Sequence, residues 1–225
     1  MPEVSEILEE TEIDGLHWEE NIYFDTGNGS RILIPSENGL LTTIVWHAPT
    51  NDKSWDYPHY ALHLSGDDRL TYVNGKSIEG EFVDCRKGSR TFHKKIVLKW
   101  DGDPDRRLVV SAGIAHWLKN LSGVVTRNEP LLRWDAEPDP LYTKGADVFN
   151  ILTTERIENF PSVRPHRNMI PLSWHSQVAR QQRGWAKKIK YYPVRFSANG
   201  KIYTLFPKAA GEEYLKVYNQ LVKAH

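Results

Sequence analysis

At 225 residues, 40% hydrophobic and 26% charged, the chain is long enough to bury one sizeable core and has the makeup of a soluble globular protein. Its 29 basic and 29 acidic residues cancel, which excludes a uniformly polycationic or polyanionic chain, and no apolar run is long enough to span a bilayer. The single Cys85 excludes an internal disulfide, and acidic residues 1–14 are unlike a signal peptide, so a cytoplasmic protein with no membrane association is expected.

In chain order, residues 1–17 read as an N-terminal arm with a short helix anchored by Ile7 and Leu8. From Trp18, strand-like runs alternate with turn residues: 21–24, a turn over 25–29, then 31–34, 40–47 and 60–64. A Gly66-Asp67-Asp68 turn follows, then residues 70–73 and Asn74-Gly75, a hairpin dipeptide. Further strands are expected over 81–85, 92–100, 107–110, 114–118 and 124–127, and the proline-containing stretch 129–142 reads as the exit. Strands this frequent, with no helical period between them, argue for a sandwich or barrel over 18–142. Residues 143–225 form an α+β extension. It holds a hairpin of 193–198 with 201–206 around Asn199-Gly200, then a helix over 211–224. In that helix Tyr214, Val217, Tyr218 and Leu221 recur at i, i+3, i+4 and i+7.

The charge balance hides a split. From Arg164 onward stand twelve Lys and Arg against two Glu, a net of +10, so the remainder carries −10. A basic segment on an acidic body can dock internally, meet a second subunit, or reach a phosphate. Residues 177–192, with Arg180, Lys187, Lys188 and Lys190 among Trp185, Tyr191 and Tyr192, could also present a charged, stacking surface to nucleic acid.

Two phrases carry a family resemblance. Asp84-Cys85-Arg86-Lys87-Gly88-Ser89-Arg90-Thr91-Phe92 joins two strands through a charged turn. Ser111-Ala112-Gly113-Ile114-Ala115-His116-Trp117 sets a His inside an apolar strand after a glycine turn. Both resemble the dTDP-4-dehydrorhamnose 3,5-epimerases of the cupin superfamily, with Ser111 where the family has Pro. The resemblance implies a mainly β fold: a cupin-type double-stranded β-helix, or jelly-roll barrel, followed by the basic α+β extension. It also implies a homodimer, a nucleotide sugar or similar small molecule as substrate, and no cofactor.

By the family's spacing, its basic His falls at His59 and its Lys at Arg69; Gly15-Leu16-His17-Trp18 spells the His phrase but lies too early. His supplies a base that titrates near neutrality, and a fixed cation steadies the enolate oxygen formed next to it. His59, Arg69 and His116 are therefore the expected catalytic set, with Arg86, His63, His47 and Trp117 as ligand contacts. The family's Tyr acid has no counterpart after His116; Tyr142 is the first available, and the acids Asp135, Glu137 and Asp139 lie in a different phrase.

Many cupins hold a metal through a His-x-His pair, a Glu and a later His. No His-x-His occurs here, and His59 and His63 stand about 13 Å apart along a strand, so no metal is expected. The alternative reading is a non-catalytic or metal-binding cupin that binds ligands or assembles with partners, its basic tail contacting phosphate or nucleic acid.

Overall fold

The computed structural model describes residues 6–27, 29–33, 41–47, 49, 55–143, 148–171, 173–176, 179–180, 194–198 and 201–205. Two antiparallel sheets face each other. One contains β5 (Thr43–Trp46), β12 (Val125–Asn128), β7 (Gly66–Tyr72) and β10 (Arg106–Val110), in that order. The other contains β6 (His59–His63), β11 (Ile114–Lys119), β8 (Ile78–Asp84) and β9 (Lys95–Trp100). The chain crosses between sheets at nearly every connection and winds two paired strands around the core. That strand order is a jelly roll, and the fold is mainly β as expected.

Additional strands widen the sheets. On one side of the first sheet β2 (Leu16–Glu20) pairs with β10, and β1 (Ile7–Glu10) pairs with β2. The arm is therefore a strand and not the expected helix. Ile7 to Glu10 are adequate helix formers, but the free edge of β2 supplies a backbone partner for them. The second sheet is completed by β14 (Val148–Leu152), which pairs with β6 beyond Tyr142. β13 (Leu131–Trp134) pairs with both β7 and β15 (Asn168–Met169), so the stretch read as an exit contains a strand. α1 (Pro140–Thr143) follows it.

β3 (Tyr23–Asp25) with β4 (Arg31–Leu33), and β16 (Val194–Ala198) with β17 (Lys201–Leu205), form separate hairpins near the expected positions. The expected terminal helix and the basic surface around 181–192 lie outside the described residues. Among the described residues no helix is long and apolar enough to cross a membrane.

Side-chain alternation sorts the residues. The space between the sheets holds Leu16, Trp18, Leu70, Tyr72, Ile78, Phe82, Leu108, Val110, Ile114 and Leu118. A second cluster lies on the outer face of the second sheet. There Tyr60, Leu62, Val83 and Ala115 are covered by Phe160 and Val163, with Phe149 and Ile151 packed against them.

Two turns differ from expectation. Gly66, Asp67 and Asp68 are not a turn but the first residues of β7, which carries Asp68 onto the same inner face as Leu70 and Tyr72. Asn74-Gly75 does not close a hairpin, because β7 and β8 belong to different sheets. Asn74 instead ties the crossing to the start of β12: its Oδ1 accepts the Val125 N–H at 2.8 Å and its Nδ2 donates to Gly123 O at 3.1 Å.

Candidate functional site

The first phrase builds a closed structural unit. Asp84, fully buried at the end of β8, accepts the Arg86 backbone N–H at 3.0 Å and Arg86 Nε at 2.8 Å. It also accepts the hydroxyls of Ser89 and Thr91, each at 2.6 Å. Burial pushes this carboxyl up, but the hydrogen bonds from Arg86, Ser89 and Thr91 outweigh it and hold it below the usual range. Arg86 also donates to Asp14 O. It packs under Gly113, whose φ of +87° suits glycine and whose absent Cβ would lie 2.4 Å from Arg86 Cγ. Gly113 N–H in turn donates to His63 O at 2.7 Å. The expected ligand contact Arg86 is thus engaged in the frame that seats β6 against β11.

That frame places His63 and His116 on the inner face of the second sheet. Ala61 is the register partner of His116 on β6, and His63 lies two residues further along the same face. The imidazoles stack, with ring centroids 5.5 Å apart and planes 19° from parallel. Across the barrel, Asp68 of β7 reaches both: its Oδ2 lies 3.4 Å from His63 Nε2 and 3.4 Å from His116 Nε2. Its Oδ1 accepts Asn128 Nδ2 at 2.7 Å. All three are buried, at 8%, 5% and 4% exposure for His63, Asp68 and His116. Among the described residues they form a group of potential metal ligands whose donor atoms lie within 4.8 Å of one another.

The inner face carries further polar groups. Tyr72 and Thr126 are register partners on β7 and β12. The Tyr72 hydroxyl and Thr126 Oγ1 are buried and have no hydrogen-bond partner among the described residues. Burial, then the nearby Tyr57 and Asp68, push the Tyr72 hydroxyl well above its ordinary pKa, so it stays protonated. Buried hydroxyls left this way mark a place where a polar ligand or water completes the bonding.

The other expected site residues fall elsewhere. His59 begins β6 on the same face as His63 but on the other side of Ala61, four residues from His63, and it is half-buried. Arg69 faces the opposite side of β7 from Asp68. Its Nε donates to Glu129 O at 2.9 Å, beside an outer-face network in which Arg107 pairs with Glu19 and Glu129, and Arg127 with Glu129. His47 bonds Val124 O at 2.9 Å and the Tyr57 hydroxyl at 3.2 Å, within an aromatic group that includes Trp55. Trp117 lies on the outer face of β11, donating to Tyr57 O with Lys119 over its ring at 4.3 Å. Asp139 accepts the backbone N–H groups of Leu141 and Arg164, both at 2.9 Å.

Asp68 is the central residue that sequence reasoning missed. The Gly-Asp-Asp triplet has turn composition. The alternation Asp68, Leu70, Tyr72 was the available signal that the strand begins earlier.

The molecule is a jelly-roll protein with a buried His–Asp–His centre. No family model and no curated protein matches the chain. Solved structures do: it is similar to dTDP-4-dehydrorhamnose 3,5-epimerase from Bacillus anthracis, at 15% identity over 74% of this chain and 94% of that one, with a TM-score of 0.48. It is also similar to a Legionella pneumophila epimerase solved with dTDP-4-keto-L-rhamnose, at 16% identity over 73% and 88%, with a TM-score of 0.47. A 3,4-ketoisomerase from Thermoanaerobacterium thermosaccharolyticum shares 12% identity over 55% and 85%, with a TM-score of 0.39. These neighbours include the group that the two sequence phrases resemble; the jelly roll itself rests on the strand order.

Proposed function

We propose that the barrel interior binds a nucleotide-linked keto sugar, or a similar small polar carbonyl compound, and epimerises or isomerises it by His-based proton transfer. The observation that supports this reading is the convergence of His63, Asp68 and His116 from both sheets in a buried space. A carbon acid beside a carbonyl gives up its proton to a base poised near neutrality, which imidazole provides. Asp68 stabilises whichever imidazole becomes charged, and the second imidazole stands ready to return a proton. The Tyr72 hydroxyl, protonated and without a hydrogen-bond partner among the described residues, is available as a donor toward substrate oxygen. His59, Arg69, Arg86, His47 and Trp117 then contribute at most to ligand entry or to the frame.

The test is solvent deuterium wash-in. The protein is incubated in D2O with dTDP-, UDP- and GDP-linked keto sugars, and the carbon next to the carbonyl is followed by NMR. The expected result is exchange with one nucleotide series, reduced at least about 100-fold in His63→Asn and His116→Asn. Exchange unchanged in both variants, or absent with all three series, rejects the reading.

The homodimer implied by the resemblance belongs to the same proposal. Among the described strands β5 is an open edge of the first sheet, with Ile44 and Trp46 at 73% and 69% exposure. An uncovered apolar edge pairs readily with a second copy of itself. Light scattering at twice the chain mass, falling to the chain mass in Trp46→Lys, is the expected outcome; a wild-type monomer rejects it. The single, buried Cys85, its thiol pushed up to about 12 by burial, supports a cytoplasmic location.

A further inference from the structure

The outer face of the first sheet, turned away from the barrel interior, buries a row of charged and polar side chains. The register sets Glu19 of β2 against Arg107 of β10, and Thr71 of β7 against Arg127 of β12, with Ile44 of β5 beyond Arg127. Leu108 pairs with Leu70, so Arg107 and Thr71 are the next pair in the same antiparallel register. Two arginines therefore flank one threonine hydroxyl on adjacent strands. Arg107, Thr71 and Arg127 are 3%, 1% and 7% exposed.

The two arginines are served unequally. Arg107 Nε and Nη2 donate to Glu19 Oε2 at 2.9 and 2.7 Å, and its Nη1 donates to Glu129 Oε2 at 3.2 Å. Arg127 meets the other oxygen of the same Glu129: its Nη2 lies 2.5 Å from Oε1, in a geometry that makes no hydrogen bond. Arg127 Nη1 is buried and has no hydrogen-bond partner among the described residues. Thr71 Oγ1 accepts Asn21 Nδ2 at 3.0 Å, which leaves the hydroxyl proton to donate elsewhere. Burial pulls the Arg127 guanidinium below its usual range; Glu129 opposes that and Arg107 adds to it. A buried cation short of acceptors is costly, and a negatively charged acceptor supplies both the charge and the hydrogen bonds.

We propose that Arg127, with the Thr71 hydroxyl beside it, forms an oxyanion site on the outer face of the first sheet, and that its ligand is a phosphoryl group. A planar guanidinium presents N–H groups in a fork that matches two phosphate oxygens, and the hydroxyl serves another. The site is separate from the His–Asp–His centre. Asp68 and Asn128 point into the barrel from β7 and β12, whereas Thr71 and Arg127 alternate to the opposite face. A ligand held inside the barrel cannot reach Arg127 through the sheet. The approach is along β5, where Ile44, the register partner of Arg127, stays 73% exposed. The inference stands independently of the proposed isomerase reading.

The experiment is isothermal titration of the full chain with inorganic phosphate, at an ionic strength held constant with sodium chloride, and then with dTDP. Expected is one equivalent of bound phosphate, with affinity at least about tenfold weaker in Arg127→Ala and in Arg127→Lys, which keeps the charge but loses the fork. Thr71→Val, which removes the hydroxyl and keeps the shape, is expected to weaken binding about 3- to 10-fold. His63→Asn, on the far side of the sheet, is expected to leave it within about twofold of wild type. A thermal melt of each variant without phosphate confirms that it is folded. The dTDP arm identifies the source of the group. Tighter binding of dTDP than of phosphate, lost in Arg127→Ala, assigns the site to a nucleotide phosphate; dTDP that leaves phosphate binding unchanged assigns it to free phosphate. No binding of either compound overturns the site, as does binding that neither Arg127 variant alters. Phosphate binding lost in His63→Asn and kept in Arg127→Ala would place the anion inside the barrel and overturn it equally.

Discussion

Asp84 and Asp68 are both buried carboxylates on strands lining the same barrel, and their surroundings are opposite. Asp84 is met by donors, with the Arg86 guanidinium, two hydroxyls and a backbone N–H closing on its two oxygens. Asp68 is met by Asn128 on one oxygen and by two imidazole nitrogens on the other. A carboxylate saturated with fixed donors is a structural tie. One shared between two titratable rings can pass a proton from ring to ring, or hold a cation. The motif most legible in the sequence thus builds the frame, and the less legible residue completes the candidate site.

The contrast predicts a separation of stability from activity. Asp84→Ala leaves the Arg86 guanidinium and two hydroxyls without their acceptor, and such a loss costs about 3–5 kcal/mol. Urea unfolding at neutral pH measures it, and a cost below about 1 kcal/mol would remove Asp84 from the frame. Gly113→Ala must take a positive φ and push against Arg86, which sits under the His63 hydrogen bond. A loss of more than about 1 kcal/mol is expected, together with reduced exchange activity because β6 shifts.

Asp68→Asn keeps the shape and removes the charge. It is expected to change stability by less than about 1 kcal/mol, within the range of shape-conserving changes, while lowering exchange at least about 100-fold. A large stability loss with full activity would make Asp68 a second Asp84.

A third buried acid sharpens the comparison by pH. Glu81, on the outer face of β8, accepts the Tyr60 hydroxyl at 2.6 Å and Lys119 Nζ at 2.7 Å, and pairs with Lys95. Burial raises its pKa, but those hydrogen bonds outweigh it and bring it from 4.5 down to about 2. A carboxyl depressed in the folded state stabilises above its unfolded value and loses that contribution as pH falls through the folded one. Stability should therefore fall between about pH 4.5 and pH 2, with a shallower slope in Glu81→Gln. An unchanged slope would show that Glu81 contributes nothing to acid stability.

What the sequence made legible follows the range of the interactions. The Asp84 turn is readable because its partners Arg86, Ser89 and Thr91 lie within seven residues of it. His116 is readable because it interrupts a short apolar run that follows a glycine turn. The centre assembles from β6, β7 and β11 in two sheets, and no local pattern states that pairing. Composition misdirected the reading at Gly66-Asp67-Asp68 and at Asn74-Gly75, where residues suited to turns serve a strand and a crossing between sheets. It also misdirected the reading at Ile7–Glu10, where an available sheet edge outweighs helix propensity. His59 and Arg69 followed a spacing borrowed from the family. In the fold, the first stands on the other side of Ala61 from His63 and the second turns to the other face of β7.

The most direct measurement is nitrogen-15 NMR of the His63 and His116 rings, in the wild-type protein and in Asp68→Asn. The account predicts that Nε2 of both rings shifts when the Asp68 charge is removed. Ring nitrogens of His63 and His116 that both fail to respond to Asp68→Asn would contradict a shared centre inside the barrel.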